Sequence, residues 1–156
     1  MELQEIRDQI LSVPVFKALP EAMHQRLLSG FLFIARTRPV TRGDFLFLQG
    51  ERETDTGCLL LQGTAEVRKE GESPVFVQAP DILGEMRLFT PQGQRTATVE
   101  ISVGGVVLEF HWREFGVESR KLFDKAELTL LKKAIVDCAW RRGPDLFAHE
   151  KSEPAS

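Results

Sequence analysis

One segment of the sequence decides its interpretation: Leu83-Gly84-Glu85-Met86-Arg87-Leu88-Phe89-Thr90-Pro91-Gln92-Gly93-Gln94-Arg95-Thr96-Ala97-Thr98. Gly84 allows a ligand to approach the backbone closely, because glycine has no Cβ. The residues after it are predicted to begin a short helix, whose first amide groups lack internal partners and favour a phosphate. Arg95 can hold two phosphate oxygens with its planar guanidinium, and Glu85 offers acceptor oxygens for a sugar hydroxyl. These residue types together indicate a nucleotide pocket.

The segment resembles the phosphate-binding cassette of the cyclic nucleotide-binding domain family. That family includes the catabolite activator proteins and the regulatory subunits of cyclic-nucleotide-dependent kinases. Its cassette has Gly-Glu, an apolar residue, a small residue and Leu, then a variable loop, Arg, a small or hydroxyl residue and Ala. The matching residues are Gly84, Glu85, Met86, Leu88, Arg95, Thr96 and Ala97. Further matches at the family's spacing are Arg42-Gly43-Asp44, Gly50-Glu51 and Gly63, and the resemblance extends from about Val13 to Arg142.

The resemblance implies a cyclic nucleotide ligand, with cAMP favoured over cGMP, and no other cofactor or metal. Arg95 would hold the cyclic phosphate with the help of nearby backbone amides, and Glu85 would accept a hydrogen bond from the ribose 2′-hydroxyl. Trp140 is a further candidate, since a flat ring can stack on a purine. The predicted ligand-binding residues are Gly84, Glu85, Met86, Arg87, Arg95, Thr96, Ala97 and Trp140.

The cassette leaves alternatives open. Glu85 and Arg95 also fit a structural salt bridge, since a buried guanidinium needs a partner. Arg87 stands where the family has a small residue, so it blocks the pocket, points to solvent, or adds a cation for a larger anion such as a cyclic dinucleotide. The alternative function is a degenerate domain that binds no nucleotide and serves protein interaction or dimerisation.

Composition favours one domain: the chain has 156 residues, of which 42% are hydrophobic. Its formal charge of -3 does not favour nucleic-acid binding, and no apolar run reaches the length of a membrane span. The acidic N-terminus lacks the apolar region of a signal peptide. Two cysteines do not make a disulfide scaffold. We therefore expect a cytoplasmic protein, with Cys58 as a small core residue.

The fold is predicted to be mainly β with flanking helices, namely a jelly roll over about residues 31–110. The predicted strands are Phe31–Arg38, Phe45–Leu48, Cys58–Gln62, Ala65–Lys69, Val75–Gln78, Thr96–Ser102 and Val106–Phe110. Gly104-Gly105 is predicted to be a two-residue hairpin turn. Two short helices precede the roll: one contains Leu3 to Leu11, and the other begins at Pro20 and ends at Gly30.

Lys125–Arg142 is the strongest predicted helix. Leu128, Leu131, Ile135 and Cys138 form one apolar stripe along it. The resemblance implies that this helix closes over the nucleotide or pairs two subunits as a homodimer, and signals to a separate effector protein. Residues 1–142 are assigned to the domain and residues 143–156 to a polar tail predicted to be disordered. That tail is too short for a helix-turn-helix, so no DNA binding is expected.

An enzyme is the other class of function considered. Jelly rolls also host metal-dependent enzymes, which need clustered histidines and carboxylates. His24, His111 and His149 fall in a helix, at a strand end and in the tail, so their positions group none of them. No Ser-His-Asp or Cys-His arrangement follows from the spacing. We therefore expect a regulatory module without catalytic activity.

Overall fold

The computed structural model describes residues 1–85 and 94–142, with the backbone alone for residues 139–142. Within these ranges the helices are α1 (Leu3–Leu11), α2 (Pro14–Lys17), α3 (His24–Ile34), α4 (Trp112–Leu122) and α5 (Lys125–Arg142), with a 3-10 turn at Glu21–Met23. The strands are β1 (Arg36–Val40), β2 (Phe45–Phe47), β3 (Thr56–Arg68), β4 (Val75–Gln78), β5 (Asp81–Leu83) and β6 (Thr98–His111). The prediction of a mainly β chain with N-terminal and C-terminal helices is confirmed.

The sheet is organised around its two long strands, β3 and β6. They pair antiparallel from Thr56 opposite His111 to Arg68 opposite Thr98. Strands β1 and β2 add to β6, whereas β4 and β5 add to β3, and every pairing is antiparallel. This six-stranded antiparallel sheet agrees with the predicted jelly roll.

Strand β3 is buried on both faces and therefore belongs to two cores. Leu59 and Leu61 pack in a core shared with the helices, whereas Cys58 and Leu60 pack in a second core formed by the strands. Successive residues of β3 belong to different cores because successive side chains of a strand point to opposite faces of the sheet. Burial raises the pKa of the Cys58 thiol to about 12, so the side chain stays neutral. The prediction that Cys58 is a small core residue is confirmed.

An aromatic cluster joins the helices to the sheet. The Phe31 ring of α3 lies 5.2 Å, centroid to centroid, from the Phe110 ring of β6 and from the Phe115 ring of α4. The Trp112 ring meets Phe110 edge-on at 5.0 Å. Such pairs stabilise a core by about 0.5–1.5 kcal/mol each beyond their buried area. The start of α4 is therefore fixed to the sheet.

Helix α5 has the predicted bounds, and its apolar stripe packs inside the protomer. Leu131, Ile135 and Cys138 are buried in the core shared with the N-terminal helices, and Leu128 is partly buried against it. Neither Cys58 nor Cys138 forms a disulfide. The stripe therefore packs largely against the chain's own residues, with Leu128 only partly covered.

Two predictions around Gly30 are wrong, namely the end of a helix at Gly30 and the start of a strand at Phe31. Gly30 lies inside α3 rather than ending it, so Phe31 is helical and the first strand begins at Arg36. A Cβ at position 30 would lie 2.9 Å from Cδ1 of Leu122. Glycine is therefore present for close contact between α3 and α4, a reason that the local sequence does not reveal.

The predicted hairpin at Gly104-Gly105 is also wrong, because β6 runs through it without a break. A Cβ on Gly105 would overlap the carbonyl of Gln62, and one on Gly104 would lie 3.0 Å from the carbonyl oxygen of Val40. These glycines permit close backbone approach between strands. The predicted strands Cys58–Gln62 and Ala65–Lys69 likewise merge into β3, with a register shift around Gly63. Strand β5 was not predicted.

Candidate functional site

Gly84 follows β5 with a left-handed backbone, at φ +88°. A Cβ there would lie 3.0 Å from the Thr56 carbonyl oxygen and 3.1 Å from Cζ of Phe47. Glycine is required both by this backbone conformation and by the lack of space. The Gly84 carbonyl accepts a hydrogen bond of 3.0 Å from Nε1 of Trp112. The head of the cassette is therefore tied to the first residue of α4.

Arg95 is buried, with 6% of its side chain exposed, and its guanidinium is held on several sides. Its Nε donates to the Glu53 carbonyl at 2.9 Å, and its Nη2 donates to the Thr56 carbonyl at 2.8 Å. Nη2 also donates to Oε2 of Glu53 at 3.2 Å. The guanidinium carbon lies 3.9 Å from the centroid of the Phe47 ring, within the range of a cation–π contact. The orientation of this cation is therefore fixed by the folded chain.

The backbone of Arg95 is fixed by the turn at Gly50-Glu51. The Arg95 amide donates to the Glu51 carbonyl, and the Gly50 amide donates to the Arg95 carbonyl, each at 2.8 Å. The Glu51 carboxylate also accepts from the Leu48 amide at 2.7 Å. This reciprocal pair aligns the residues around Arg95 with the segment that leads to Glu53.

Glu53 is the carboxylate paired with Arg95, and 58% of its side chain is exposed. Its Oε1 accepts hydrogen bonds from the amides of Asp55 at 2.6 Å and Thr56 at 3.0 Å. Desolvation acts to raise the pKa of the Glu53 carboxyl. The hydrogen bond from Arg95, those from the two amides, and the charge of Arg95 outweigh it and hold the pKa below the ordinary 4.5. Glu53 is therefore ionised at neutral pH.

The predicted site residues fall at different depths. Glu85 is buried, with 4% exposed, while Thr96 and Ala97 are half-buried in the segment before β6, which begins at Thr98 rather than Thr96. Glu85 and Arg95 bracket the cassette loop. Met86 and Arg87 lie outside the described residues, and so does the side chain of Trp140.

Three residues of this site were not predicted from the sequence: Phe47, Glu53 and Thr56. The turn signal at Gly50-Glu51 marked the place, but only as a change of chain direction. Glu53 lies 42 residues before Arg95 in the chain. A surface glutamate next to a turn resembles any solvated carboxylate, so no local signal identified it.

Comparison with known families gives a consistent assignment. The sequence model described as "Cyclic nucleotide-binding domain" matches residues 37–116, which is just over half of the chain and contains Gly84, Glu85 and Arg95. The chain belongs to the cyclic nucleotide-binding domain family. Members of this family are generally regulatory rather than catalytic. A comparison with curated protein sequences finds no match.

Solved structures of cyclic nucleotide-binding proteins share the fold at low sequence identity. A putative cyclic nucleotide-binding protein from Geobacter metallireducens GS-15 is 16% identical, with a TM-score of 0.66 over 91% of this chain and 98% of that one. The regulatory subunit of a cAMP-independent protein kinase A from Trypanosoma brucei is 16% identical, with a TM-score of 0.67 over 97% of this chain. The catabolite activator protein of Thermus thermophilus is 18% identical, with a TM-score of 0.62 over 83% of this chain. The alignments cover only 51% of the kinase subunit and 57% of the activator.

Two charged side chains are buried at the two ends of the cassette in this cyclic nucleotide-binding domain. The domain combines a buried, oriented cation at Arg95 with a buried carboxylate at Glu85, on either side of the cassette loop. Across residues 1–85 and 94–142 the structure groups no three His, Cys, Asp or Glu side chains in a way that would hold a metal. In the same ranges no helix has both the length and the apolar character needed to cross a bilayer.

Proposed function

We propose that the chain is a cyclic nucleotide-binding regulatory module without catalytic activity, acting in the cytoplasm. Arg95 holds the cyclic phosphate, and Glu85 accepts a hydrogen bond from the ribose 2′-hydroxyl. Backbone amides of the cassette, including those of Met86, Arg87 and Thr96, complete the anion site. The observation that carries this proposal is the guanidinium of Arg95, which is buried and already oriented by the surrounding carbonyls.

The described contacts of Arg95 use only part of its donor capacity. A guanidinium has five N–H donors. Among residues 1–85 and 94–142, the hydrogen bonds of Arg95 use Nε and Nη2, and none uses Nη1. A phosphate can therefore be held through Nη1 while Nε and Nη2 keep their hydrogen bonds to the carbonyls of Glu53 and Thr56. A cation fixed before binding loses little freedom on binding, which favours affinity.

Glu53 is the internal competitor of the phosphate. Its carboxylate neutralises part of the charge on Arg95, which reduces the attraction for a second anion. The long 3.2 Å contact and the 58% exposure of Glu53 make this pair easy to open. Because Glu53 is exposed, water can solvate its carboxylate once the carboxylate has moved away from Arg95. The cost of displacing Glu53 is therefore small compared with the charge-assisted hydrogen bonds to a phosphate.

Binding is proposed to act on the C-terminal helix through α4. Gly84 at the head of the cassette accepts the indole hydrogen bond of Trp112, the first residue of α4. Helix α4 is followed after Phe123 by α5, whose N-terminal Glu127 is paired with Arg26 of α3. A ligand can shift α5 only by its difference in affinity for the two arrangements. An effector protein would detect that shift, and a homodimer would require a face of α5 other than the buried stripe.

Isothermal titration calorimetry tests this function with cAMP, cGMP and cyclic di-GMP as ligands. We take cAMP as the first ligand, and the half-buried Thr96 hydroxyl beside Arg95 as the group that would also suit guanine. At a hundredfold excess over Kd, binding should raise the free energy of unfolding by about 2.7 kcal/mol. Absence of heat and of a thermal shift with all three ligands would reject the proposal.

Arg95→Lys tests the phosphate role, because lysine cannot make the forked contact. Binding should weaken by about tenfold or more, the loss of at least one charge-assisted hydrogen bond. Arg68→Lys is the matched control, since Arg68 pairs with Glu100 on the exposed face of the sheet. Equal affinity of the Arg95→Lys and Arg68→Lys variants would refute the assignment of Arg95.

A degenerate domain is the second candidate function. It is favoured by the same Arg95, whose charge is already paired with Glu53 and whose Nε and Nη2 are already bonded. One structural relative is a regulatory subunit of a kinase that is itself cAMP-independent. In this case the fold would serve protein contact alone, and Glu53→Gln would not create binding of any cyclic nucleotide.

A further inference from the structure

A groove lies between α4 and α5. Its volume is about 500 Å³, which is within the range of ligand and peptide sites. Trp112 and Phe115 of α4 form one apolar wall, and Leu128 and Leu131 of α5 form the other. The lining residues of each helix recur at spacings of three and four, so the groove follows about two turns of both helices.

Gly116 lies in this groove, and contacts among the described residues do not require a glycine there. It sits inside α4 with an ordinary helical backbone, where glycine lowers stability relative to alanine. Among the described residues, a Cβ at Gly116 would meet only the end of the Arg120 side chain, at 3.4 Å. Gly30 is different, since a Cβ there would collide with Leu122 at 2.9 Å. What the absence of a side chain at Gly116 preserves is therefore space in the groove.

The charged residues that line the groove are all basic: Arg113, Arg120 and Lys132. Each is exposed, and within the described part of the chain no ion pair engages any of the three side chains. Arg113 and Arg120 are seven residues apart, which places them about 10 Å apart along one side of α4. Lys132 extends from the opposite wall. The cations thus lie along the length of the groove rather than at one end.

We propose that this groove binds a short amphipathic helix of a partner protein. The apolar face of that helix packs on Trp112, Phe115 and Leu128, and acidic residues on its flanks pair with the three cations. Two carboxylates seven residues apart on one helix match Arg113 and Arg120, whereas a small amphiphile with a single carboxylate meets one cation only. Helices bind grooves in this way through anchors at spacings of three, four and seven. The proposal does not depend on nucleotide binding.

Calorimetry and NMR with a synthetic peptide test the proposal on the full chain. The probe has about four helical turns, with Leu at positions i, i+4 and i+7 and Glu on both flanks. Its matched control replaces the Leu residues by Gln. We expect the probe to bind, with amide shifts confined to residues 112–120 and 128–135, and the Gln peptide not to bind. Equal binding of the two peptides, or shifts centred on Arg95, would overturn the proposal.

Gly116→Leu fills the groove without changing a charge. It should weaken peptide binding by at least about tenfold, as for loss of a central anchor pocket. It should also raise Tm by about 2–4 °C, because glycine is removed from a helix interior. Gly116→Ala is the size control, with the same direction of Tm shift and nearly unchanged peptide affinity. If Gly116→Leu binds the peptide like the parent, the groove is not the site.

Charge reversal distinguishes the proposed occupant from others. Arg120→Glu combined with Lys132→Glu should weaken binding by about tenfold or more, whereas Lys133→Glu, on the neighbouring exposed position of α5, should change it less than about twofold. Palmitate binding that is tight, and that excludes the peptide, would assign the groove to a small amphiphile and reject a helix. Self-association that is lost in Gly116→Leu would assign the groove to a second copy of the chain and reject a separate partner.

Discussion

Two arginine–glutamate pairs, one beside the cassette and one between α3 and α5, place the same two side chains in different surroundings. In the first, Arg95 is buried at 6% exposure and Glu53 is mostly exposed. In the second, Arg26 of α3 is 40% exposed and holds both carboxylate oxygens of Glu127, at 2.9 and 2.6 Å. In the first pair, backbone carbonyls hold the arginine and the contact with the carboxylate is long. In the second pair, both nitrogens at the end of the guanidinium bond to the two carboxylate oxygens, at the start of α5.

The surroundings of each arginine explain the difference. Arg95 rests on Phe47 and the backbone carbonyls of Glu53 and Thr56, so it remains in place when the Glu53 carboxylate moves away. Glu127 is also bonded to the Asp124 amide, and the Glu127 amide donates to the Asp124 carboxylate, which is a reciprocal N-terminal cap. An arginine fixed without its carboxylate can exchange one anion for another. The Glu127 carboxylate also caps α5, so it joins two helices and is not readily replaced by another anion.

The largest expected effect comes from removing each arginine. Arg95→Met should lower the free energy of unfolding by about 2–4 kcal/mol, because the carbonyls of Glu53 and Thr56 lose a charged donor. Arg26→Met should lower it by less, because both partners there reach solvent. Urea unfolding measures both values. A larger loss of stability in Arg26→Met than in Arg95→Met would contradict the proposed difference between the two pairs.

Gly84→Ala should have the next largest effect. Alanine in the left-handed region costs about 1–2 kcal/mol, and the close Thr56 carbonyl and Phe47 ring add to that. Gly71→Ala is the matched control, since Gly71 has φ +80° with nothing within 4 Å of its Cβ position. Thermal unfolding of both variants should show the larger loss for Gly84→Ala. Equal losses would mean that the space around the Arg95 pair is not tightly filled.

The smallest effect on stability is expected from Glu53→Gln, which leaves Arg95 with its carbonyl partners. Because folding lowers the pKa of Glu53, its carboxylate stabilises the fold above its ordinary pKa of 4.5, and this contribution is lost as the pH falls through the lower folded value. The variant should therefore lose less stability than the parent between about pH 5 and pH 3. Anion binding at Arg95 should tighten several-fold. Unchanged acid sensitivity and unchanged binding would show that the charge of Glu53 does not act on Arg95.

The sequence carried most of the information on the fold but indicated only part of the candidate site. The glycines before and within the cassette, together with Glu85 and Arg95, were sufficient for the family, because each has a local chemical signature. The bounds of α5 were also correct, since Asp124 and Glu127 at its start are helix-start signals. Glu85 and Arg95 are both buried, but their predicted roles toward a ligand remain predictions.

Other features depend on residues that are distant in the chain. Gly104-Gly105 looked like a turn, yet its glycines exist because Gln62 and Val40 approach from neighbouring strands. Glu53 became a partner of Arg95 through a turn whose course is set by hydrogen bonds of the folded state. Neither spacing nor composition carries that information. The same is true of Gly116, because its role depends on the groove between α4 and α5.

The pairing of β3 with β6 also has a consequence for the folding kinetics of the chain. Residues that are 30 positions apart at one end of this ladder and 55 apart at the other must meet before the sheet exists. Closing such long segments costs conformational entropy, which the contacts of the sheet offset only late in folding. β-rich topologies of this kind therefore fold in milliseconds to seconds. Helix α1 forms from neighbouring residues, but its buried Ile10 belongs to a core that also needs Leu59 and Leu61 of β3. A newly made chain therefore exposes the helix faces that pack on the sheet throughout the time that the two long strands take to meet.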